Sequence, residues 1–519
     1  AEISFKLIKN KPTNLIAVTG TNGKSSIADF YYQILTLNNK KAATIGTLGV
    51  RSKTVNFDLL NTTIDPIHLG QILKKLKNHR IENVIMEASS HGLDQNRLDG
   101  LIFNTGIFTN LSQDHLDYHK NLKDYLDAKL YLFRNLIKKK GNIITDSKIP
   151  EFVEIKKIAK KKFLKLNTIE GKNEKLKILT HSFHDESQIL KIKYKGVVKL
   201  IRINLIGKIQ IKNILMALIA AEKSGLNLNK ILNVLPSLKP IEGRFEKIGM
   251  IKNKSKVVLD YAHTPDALKT CLLNLKEQFP DKKIISLFGC GGNRDQNKRS
   301  KMGKIADIFS DEIYLTDDNP RFESSHKIRK DIRTGIKKTK VIEISDRGKA
   351  IAQAIKNLRT GEILLVAGKG HEKVQDIGKR KIFFSDKKII LESIKTKNHS
   401  LSNNLKLNII REVSGNKKFP FSLKLKQARI NSKEVKKDDI FFAIKGNKND
   451  GNKFISQSFK NKASLAVVNK IQKKLKIHNQ IKVKNTLKFL TDISGIFRKN
   501  INTKIIAITG SCGKTSLKE

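Results

Sequence analysis

The chain has 519 residues, of which 39% are hydrophobic and 29% charged, and a formal charge of +54 at pH 7. That length predicts three or four domains with ample chain for large cores, and no run of about 18 apolar residues offers a membrane span. Three widely spaced cysteines, Cys271, Cys290 and Cys512, point to neither a disulfide framework nor a zinc site and favour a reducing cytoplasm; the absence of Trp and the even spread of Lys argue against a nucleic-acid partner.

An apolar β-branched run at 15–19 predicts a buried strand. It leads into Gly20-Thr21-Asn22-Gly23, and Lys24-Ser25 opens a helical pattern over 24–36. Glycines let backbone N–H groups close around phosphate, the Lys supplies a point charge, and the hydroxyl reaches Mg²⁺. The spacing is shorter than the usual phosphate loop, so a plain Gly turn before a helix is the alternative. Further strands are predicted at 83–87, 106–110 and 142–145, with a helix over 121–137. Glu87 ends one strand and His115 follows another. Both fall at strand C-termini on the loop side, where a carboxylate and an imidazole suit a Mg²⁺ beside phosphates. Taken alone, His115 reads as an ordinary surface-loop histidine.

Residues 150–205 are Lys-rich and carry few element signals. A helix is predicted over 211–224, and a boundary near Pro236 and Pro240. A second α/β unit follows, with strands at 256–260, 283–290, 312–316, 340–344 and 362–367. The polar stretch 395–404 reads as a linker. Residues 405–500 form a smaller unit without catalytic motifs. The phosphate-loop pattern then recurs at 506–515, with only four residues after Thr515. That copy is too short to own a nucleotide-binding domain. The expected fold class is therefore α/β: a P-loop-type, mostly parallel sheet in 1–237, a Rossmann-like unit in 238–394, the linker, a small α/β unit in 405–500, and the start of a second P-loop domain in 501–519.

The ordered motifs at 19–26, 61–63, 86–97, 108–133, 260–266, 288–299, 318–321 and 368–372 resemble the Mur ligases. These ATP-dependent enzymes build the peptidoglycan stem peptide. The likeness is to the member that adds the third residue, and it implies ATP and Mg²⁺ as cofactors. Gly20, Thr21, Asn22, Gly23, Lys24 and Ser25 would bind ATP, with Asn213, Asp260 and Asn293 as further nucleotide contacts. Lys24, Lys129, Glu87 and His115 would be catalytic. Ser25, Glu87, His115 and Lys129, the last as a carbamate, would hold the metal. Thr62, Thr63, Ser89, Gln95 and Arg97 would grip UDP-N-acetylmuramoyl-L-alanyl-D-glutamate. Arg294, Asp318, Asn319, Arg321, Gly368 and Glu372 would receive the amino acid. In the family, an Arg at position 321 accompanies meso-diaminopimelate, and a guanidinium fork suits its distal carboxylate.

Residues 441–446 and 450–454 resemble the N-terminal domain of the Mur ligase that adds D-alanyl-D-alanine, although Asn431-Ser432-Lys433 stands where that family commonly has Asp-Ser-Arg, and Asn452 where His is usual. The resemblance also implies a uridine-binding domain ahead of Ala1. A monomer is expected. The alternatives are a folylpolyglutamate synthetase-like ligase, a truncated fusion that binds ATP without turnover, and a basic nucleic-acid-binding protein.

Overall fold

The computed structural model describes residues 1–7, 10–116, 118–169, 176–415, 423–446, 449–499 and Thr509. The second phosphate-loop motif, apart from Thr509, lies outside the described residues. The chain divides into two units, Ala1–Ile394 and Lys395–Glu519.

The first unit holds a seven-stranded sheet. Its strands are β1 (Asn14–Thr19), β2 (Ala42–Gly46), β3 (Gly49–Ser52), β4 (Asn83–Glu87), β5 (Phe103–Phe108), β6 (Ile137–Asp146) and β7 (Lys165–Ile169). Their order is β3-β2-β4-β1-β5-β6-β7, and only the β2–β3 pair is antiparallel. β1 is central because both its faces are apolar. Ile16 and Val18 pack towards the helices Lys24–Leu37 and Lys208–Lys223, and Leu15 and Ala17 towards the helix Pro66–Asn78. Chain order reverses at β1, between β4 and β5, so their C-terminal ends open a crevice there.

The expected helix over 121–137 is shorter. Leu122–Tyr131 is α-helical, Leu132–Leu136 is one π turn, and β6 begins at once with Ile137. Residues 150–205 contain the helix Phe152–Lys161 and an antiparallel sheet of β8 (Leu176–His184), β9 (Ser187–Tyr194) and β10 (Val197–Ile203). In β9, Leu190, Ile192 and Tyr194 are buried while Lys191 and Lys193 face water. The alternation was present in the sequence, masked by so many lysines.

A six-stranded sheet completes the unit. It comprises β11 (Glu246–Lys247), β12 (Lys256–Asp260), β13 (Ile284–Phe288), β14 (Glu312–Leu315), β15 (Val341–Glu343) and β16 (Ile363–Ala367), ordered β11-β12-β16-β13-β14-β15. All its pairings except β11–β12 are parallel. The hairpin of β17 (Val374–Asp376) and β18 (Lys381–Phe383) follows.

The expected linker at 395–404 lies inside the helix Asp386–Ser414. Its Lys/Asn/Ser content resembles a linker, yet 386–414 contains neither Gly nor Pro, so nothing in it breaks a helix. The second unit carries a parallel four-stranded sheet: β19 (Ala428–Arg429), β20 (Ile440–Phe442), β21 (Leu465–Val468) and β22 (Gln480–Lys482), in that order. Phe442, Leu465, Val467 and Ile481 bury one face, and Phe441, Ala466 and Val468 the other. Asn431 caps a short 3₁₀ turn, and the backbone N–H of Asn469 donates to Asn452 Oδ1 at 3.1 Å. Asn431 and Asn452, which depart from the family pattern, thus have local structural work.

Candidate functional site

The phosphate loop follows β1 and requires its glycines. Gly20 has φ of 140°, and a Cβ there would lie 1.9 Å from Thr109 Oγ1. Gly23 has φ of 89°, and a Cβ there would lie 2.9 Å from Asn213 Oδ1. Asn213 therefore sits against the loop. Asn22 N–H donates to Asn110 Oδ1 at 3.0 Å, tying the loop to the end of β5. Lys24 Nζ folds back and donates to the carbonyls of Gly20 and Thr21, both at 2.8 Å. Burial lowers its pKa. A partly buried ammonium hydrogen-bonded to two neutral carbonyls, with Glu87 and Asp114 the carboxylates acting on it, can still take an anionic partner.

Three groups surround this loop. Glu87, at the end of β4, is buried; its oxygens accept from Thr47 N at 2.9 Å and Thr47 Oγ1 at 3.1 Å. Burial pushes the His115 imidazole down to about 4, with Asp114 pulling the other way, so the ring is neutral at pH 7. A neutral imidazole is the metal-binding form. Lys129 is 1% exposed, its Nζ 3.1 Å from Gly20 O and 4.1 Å from the Tyr125 ring centroid. Burial first, and Lys24 second, hold its pKa well below the ordinary value. Ser25 Oγ accepts from Arg244 at 3.5 Å. Among the described residues no three acid, His or Cys side chains form a ready-made cage. Mg²⁺ beside phosphates needs only one or two protein carboxylates. A hydroxyl, a carboxylate and a neutral imidazole lining one cleft with the loop fit it.

Of the residues expected to grip the muramoyl substrate, Thr62 and Ser89 line that same cleft. Thr63 is buried, and its hydroxyl donates to Glu87 O at 2.9 Å while accepting from Ser89 N at 2.9 Å. Arg97 donates to Thr63 O at 2.6 Å and to Gln95 Oε1 at 2.5 Å. The five residues form one connected strip.

The second sheet supplies the opposite wall, from loops at the C-terminal ends of β12, β13, β14 and β16. Arg294, Asp318, Asn319, Arg321, Gly368 and Glu372 line one cavity. Arg321 has φ of 52° and donates to Gly292 O at 2.7 Å. Asp318 is 7% exposed, and burial raises its pKa against the pull of Arg347 and Lys369. Asp260 faces inward to backbone, accepting from Phe245 N and Ala262 N, each at 2.7 Å. Asn293 Oδ1 accepts from Phe322 N at 3.1 Å.

Asp114, His115 and His263 line both this cavity and the phosphate-loop cleft, which joins the two walls. Sequence reasoning did not single out Asp114, Arg244, His263 or Lys369. Arg244 stacks over Tyr261 at 4.4 Å. Lys369, fully buried, donates to Asn319 Oδ1 and Glu372 Oε2, each at 2.9 Å, and to Val374 O at 2.7 Å. Glu372 therefore already has a cation. Asp114 and His263 stood inside matched motifs, so that signal was available. Lys369 stood inside the matched motif at 368–372 as well, whereas Arg244 lay outside every matched motif.

A glycine-rich loop on a parallel sheet, facing a charged pocket on a second parallel sheet, defines a two-part nucleotide-dependent enzyme of the P-loop α/β class. Residues 18–221 match the Mur ligase middle domain and 243–370 the Mur ligase glutamate ligase domain. The chain is 42% identical over 386 residues to the UDP-N-acetylmuramoyl-L-alanyl-D-glutamate–2,6-diaminopimelate ligase of Rickettsia bellii, covering 73% of this chain and 80% of that protein. A solved structure of a ligase of that same name is 31% identical, with a TM-score of 0.56, over 76% of this chain and 80% of that one. A folylpolyglutamate synthase of Mycobacterium tuberculosis, complexed with ADP and AMPPCP, shares the fold at 13% identity, with a TM-score of 0.58, over 71% of this chain and 92% of that one. The chain belongs to the Mur ligase family.

Proposed function

We propose that this protein is an ATP-dependent ligase joining meso-diaminopimelate to the D-glutamyl γ-carboxylate of UDP-N-acetylmuramoyl-L-alanyl-D-glutamate, as a cytoplasmic monomer. The observation that carries the reading is the shared cleft: phosphate loop on one wall, Arg294, Arg321, Asp318 and Glu372 on the other. The Rickettsia relative's name supports the same substrates.

Lys24 and the loop N–H groups would hold the ATP phosphates. Ser25, Glu87, His115 and Lys129 as a carbamate would hold Mg²⁺, which supplies charge neutralisation between the phosphates. The low pKa of Lys129 supports the carbamate, because only a neutral amine adds CO₂. Thr62, Thr63, Ser89, Gln95 and Arg97 would fix the muramoyl substrate so that its γ-carboxylate meets the γ-phosphorus in line. That displacement gives an acyl phosphate and ADP. Arg321 and Arg294 would take the distal carboxylate of diaminopimelate, and Asp318 its distal ammonium. The α-amine then attacks the acyl carbonyl and phosphate leaves.

The test is phosphate release with product mass as a second readout. Release should require ATP, the muramoyl dipeptide and diaminopimelate together. In competition, diaminopimelate should be incorporated ahead of L-lysine. Release driven instead by a folate and glutamate would favour the folylpolyglutamate reading.

A further inference from the structure

Under the ligase reading, on which this inference rests, one proton has no assigned destination. The amino acid arrives as an ammonium ion and must become an amine before it attacks. Asp318 lies deep in the pocket and Glu372 is paired with Lys369. Lys24, Glu87, Lys129 and His115 belong to the phosphate side.

His263 stands where the two walls meet, lining both parts of the cleft. It lies in the loop between β12 and the helix Pro265–Gln278, whose N-cap is Thr264. Its Nδ1 is 2.8 Å from Tyr261 O. A carbonyl oxygen only accepts, so Nδ1 carries the hydrogen and Nε2 keeps its lone pair. Nε2 is 4.0 Å from Asp114 Oδ2. The Tyr261 ring, 4.7 Å away centre to centre, braces the imidazole edge-on. The charged groups that face it are Asp114, Lys298 and Arg244. Burial is the main influence, and it keeps the free imidazole neutral. The ring is thus half-exposed, fixed in one tautomer, and supported by a carboxylate on the side where positive charge would form. A neutral histidine that lines the cavity with its Nε2 lone pair free of the Tyr261 contact, and has a carboxylate 4.0 Å from that same nitrogen, has what a general base needs.

We propose that His263 Nε2 takes the proton from the incoming α-ammonium, with Asp114 stabilising the imidazolium. The amine nitrogen then forms its bond to the acyl carbon. The bond from that carbon to the phosphate oxygen breaks, and its electron pair leaves with phosphate. The nitrogen's second proton goes to the departing phosphate, and the imidazolium returns its proton to water.

The two half-reactions separate this role from a structural one. His263→Gln and His263→Ala would be loaded with ATP and UDP-N-acetylmuramoyl-L-alanyl-D-glutamate without amino acid, and the acyl phosphate trapped by borohydride reduction. Diaminopimelate would then be added and amide formation timed. Both variants should accumulate acyl phosphate as the unmutated protein does. Amide formation should slow by roughly a hundredfold or more. Hydroxylamine, already neutral at assay pH, should still give hydroxamate at close to the unmutated rate, and added imidazole should partly restore the Ala variant. Amide formation at the unmutated rate would overturn the inference. So would loss of acyl-phosphate formation, or an equal slowing with hydroxylamine. If the unmutated protein itself formed no acyl phosphate, the ligase reading would fall, and this inference with it.

Discussion

The two walls of the cleft are built on different principles. The wall carrying the phosphate loop is made from backbone: Gly20 and Gly23 hold positive φ, Lys24 is parked on two carbonyls, and the N–H groups of Thr21 and Asn22 tie the loop to Asn110. The opposite wall is made from paired charges. Arg299 and Arg347 are fully buried, Arg299 on Glu323 and Asp331, Arg347 on Asp386. Arg329 joins Asp317 and Glu343, and Lys369 joins Glu372. A polyanion such as triphosphate is held well by many N–H dipoles and one mobile cation. An amino acid with charges at both ends needs fixed charges of both signs, and each fixed charge needs a buried counter-charge.

The largest expected effect tests the first wall. Lys24→Ala should lower ligation by about 10³-fold, the scale of losing a preorganised charge at the reacting group. Lys129→Ala should fall nearly as far, by roughly 10²-fold or more. Acetate should partly rescue it by standing in for the carbamate. Full activity of Lys129→Ala without rescue would remove the carbamate from the mechanism.

Breaking the second wall should appear first as lost stability. Asp386 is fully buried, accepts from Arg347 Nε at 2.8 Å and from its terminal nitrogen at 2.7 Å, and leads the helix Asp386–Ser414. Asp386→Asn leaves a buried guanidinium without its counter-charge, at a cost of about 3–5 kcal/mol. Urea denaturation reads this directly. An unchanged midpoint would mean that Arg347 finds another partner, with Asp318, which already acts on it electrostatically, as the candidate.

This contrast explains what was legible in the sequence. The phosphate loop is local: strand, glycines, Lys and helix follow within about a dozen residues, and each has a recognisable physical role. In the first sheet β1, β4, β5 and β6 were legible as apolar runs, as were β12 to β16 in the second, whereas β2 and β7 were not read from the sequence. The second wall was legible only through motif resemblance, because its supports are distant in sequence: Arg347 reaches Asp386, and Lys369 reaches Asn319. Outside a motif, a lone buried Lys in a chain this rich in Lys gives no signal. The antiparallel sheet β8–β10 was missed for the same reason, since Lys fills its exposed positions.

A smaller effect concerns specificity. One terminal nitrogen of Arg321 is tied to Gly292 O, and its Nε lies 3.9 Å from Asp376. Part of the fork therefore remains for a ligand carboxylate. Arg321→Ala should raise the KM for diaminopimelate by roughly 30-fold, equivalent to about 2 kcal/mol for a lost charge-assisted hydrogen bond. ATP affinity should hardly move. A matching rise in the ATP KM would show that the walls are coupled rather than independent.

The smallest effect compares one histidine from each wall. His115 and His371 both have pKa values lowered from 6.5 to about 4, mainly by burial. The unfolded chain therefore binds more protons than the folded one between those values. Stability should be fully present above pH 6.5 and should fall as pH drops towards 4. The His115 side chain is 40% exposed, so solvent screening leaves less than about 1 kcal/mol for it. The measurement is the urea midpoint at pH 7 and at pH 5, for the unmutated protein, His115→Gln and His371→Gln. Each variant should show a smaller drop between the two pH values than the unmutated protein. His115 has Asp114 favouring the charged form against Lys24 and Lys129, and His371 has Glu372 against Arg244 and Lys373, so charges of both signs act at each site. His115→Gln and His371→Gln should therefore each remove part of the drop, which would share the acid sensitivity between the two walls. A drop left whole in either variant would assign the acid sensitivity to the other wall alone.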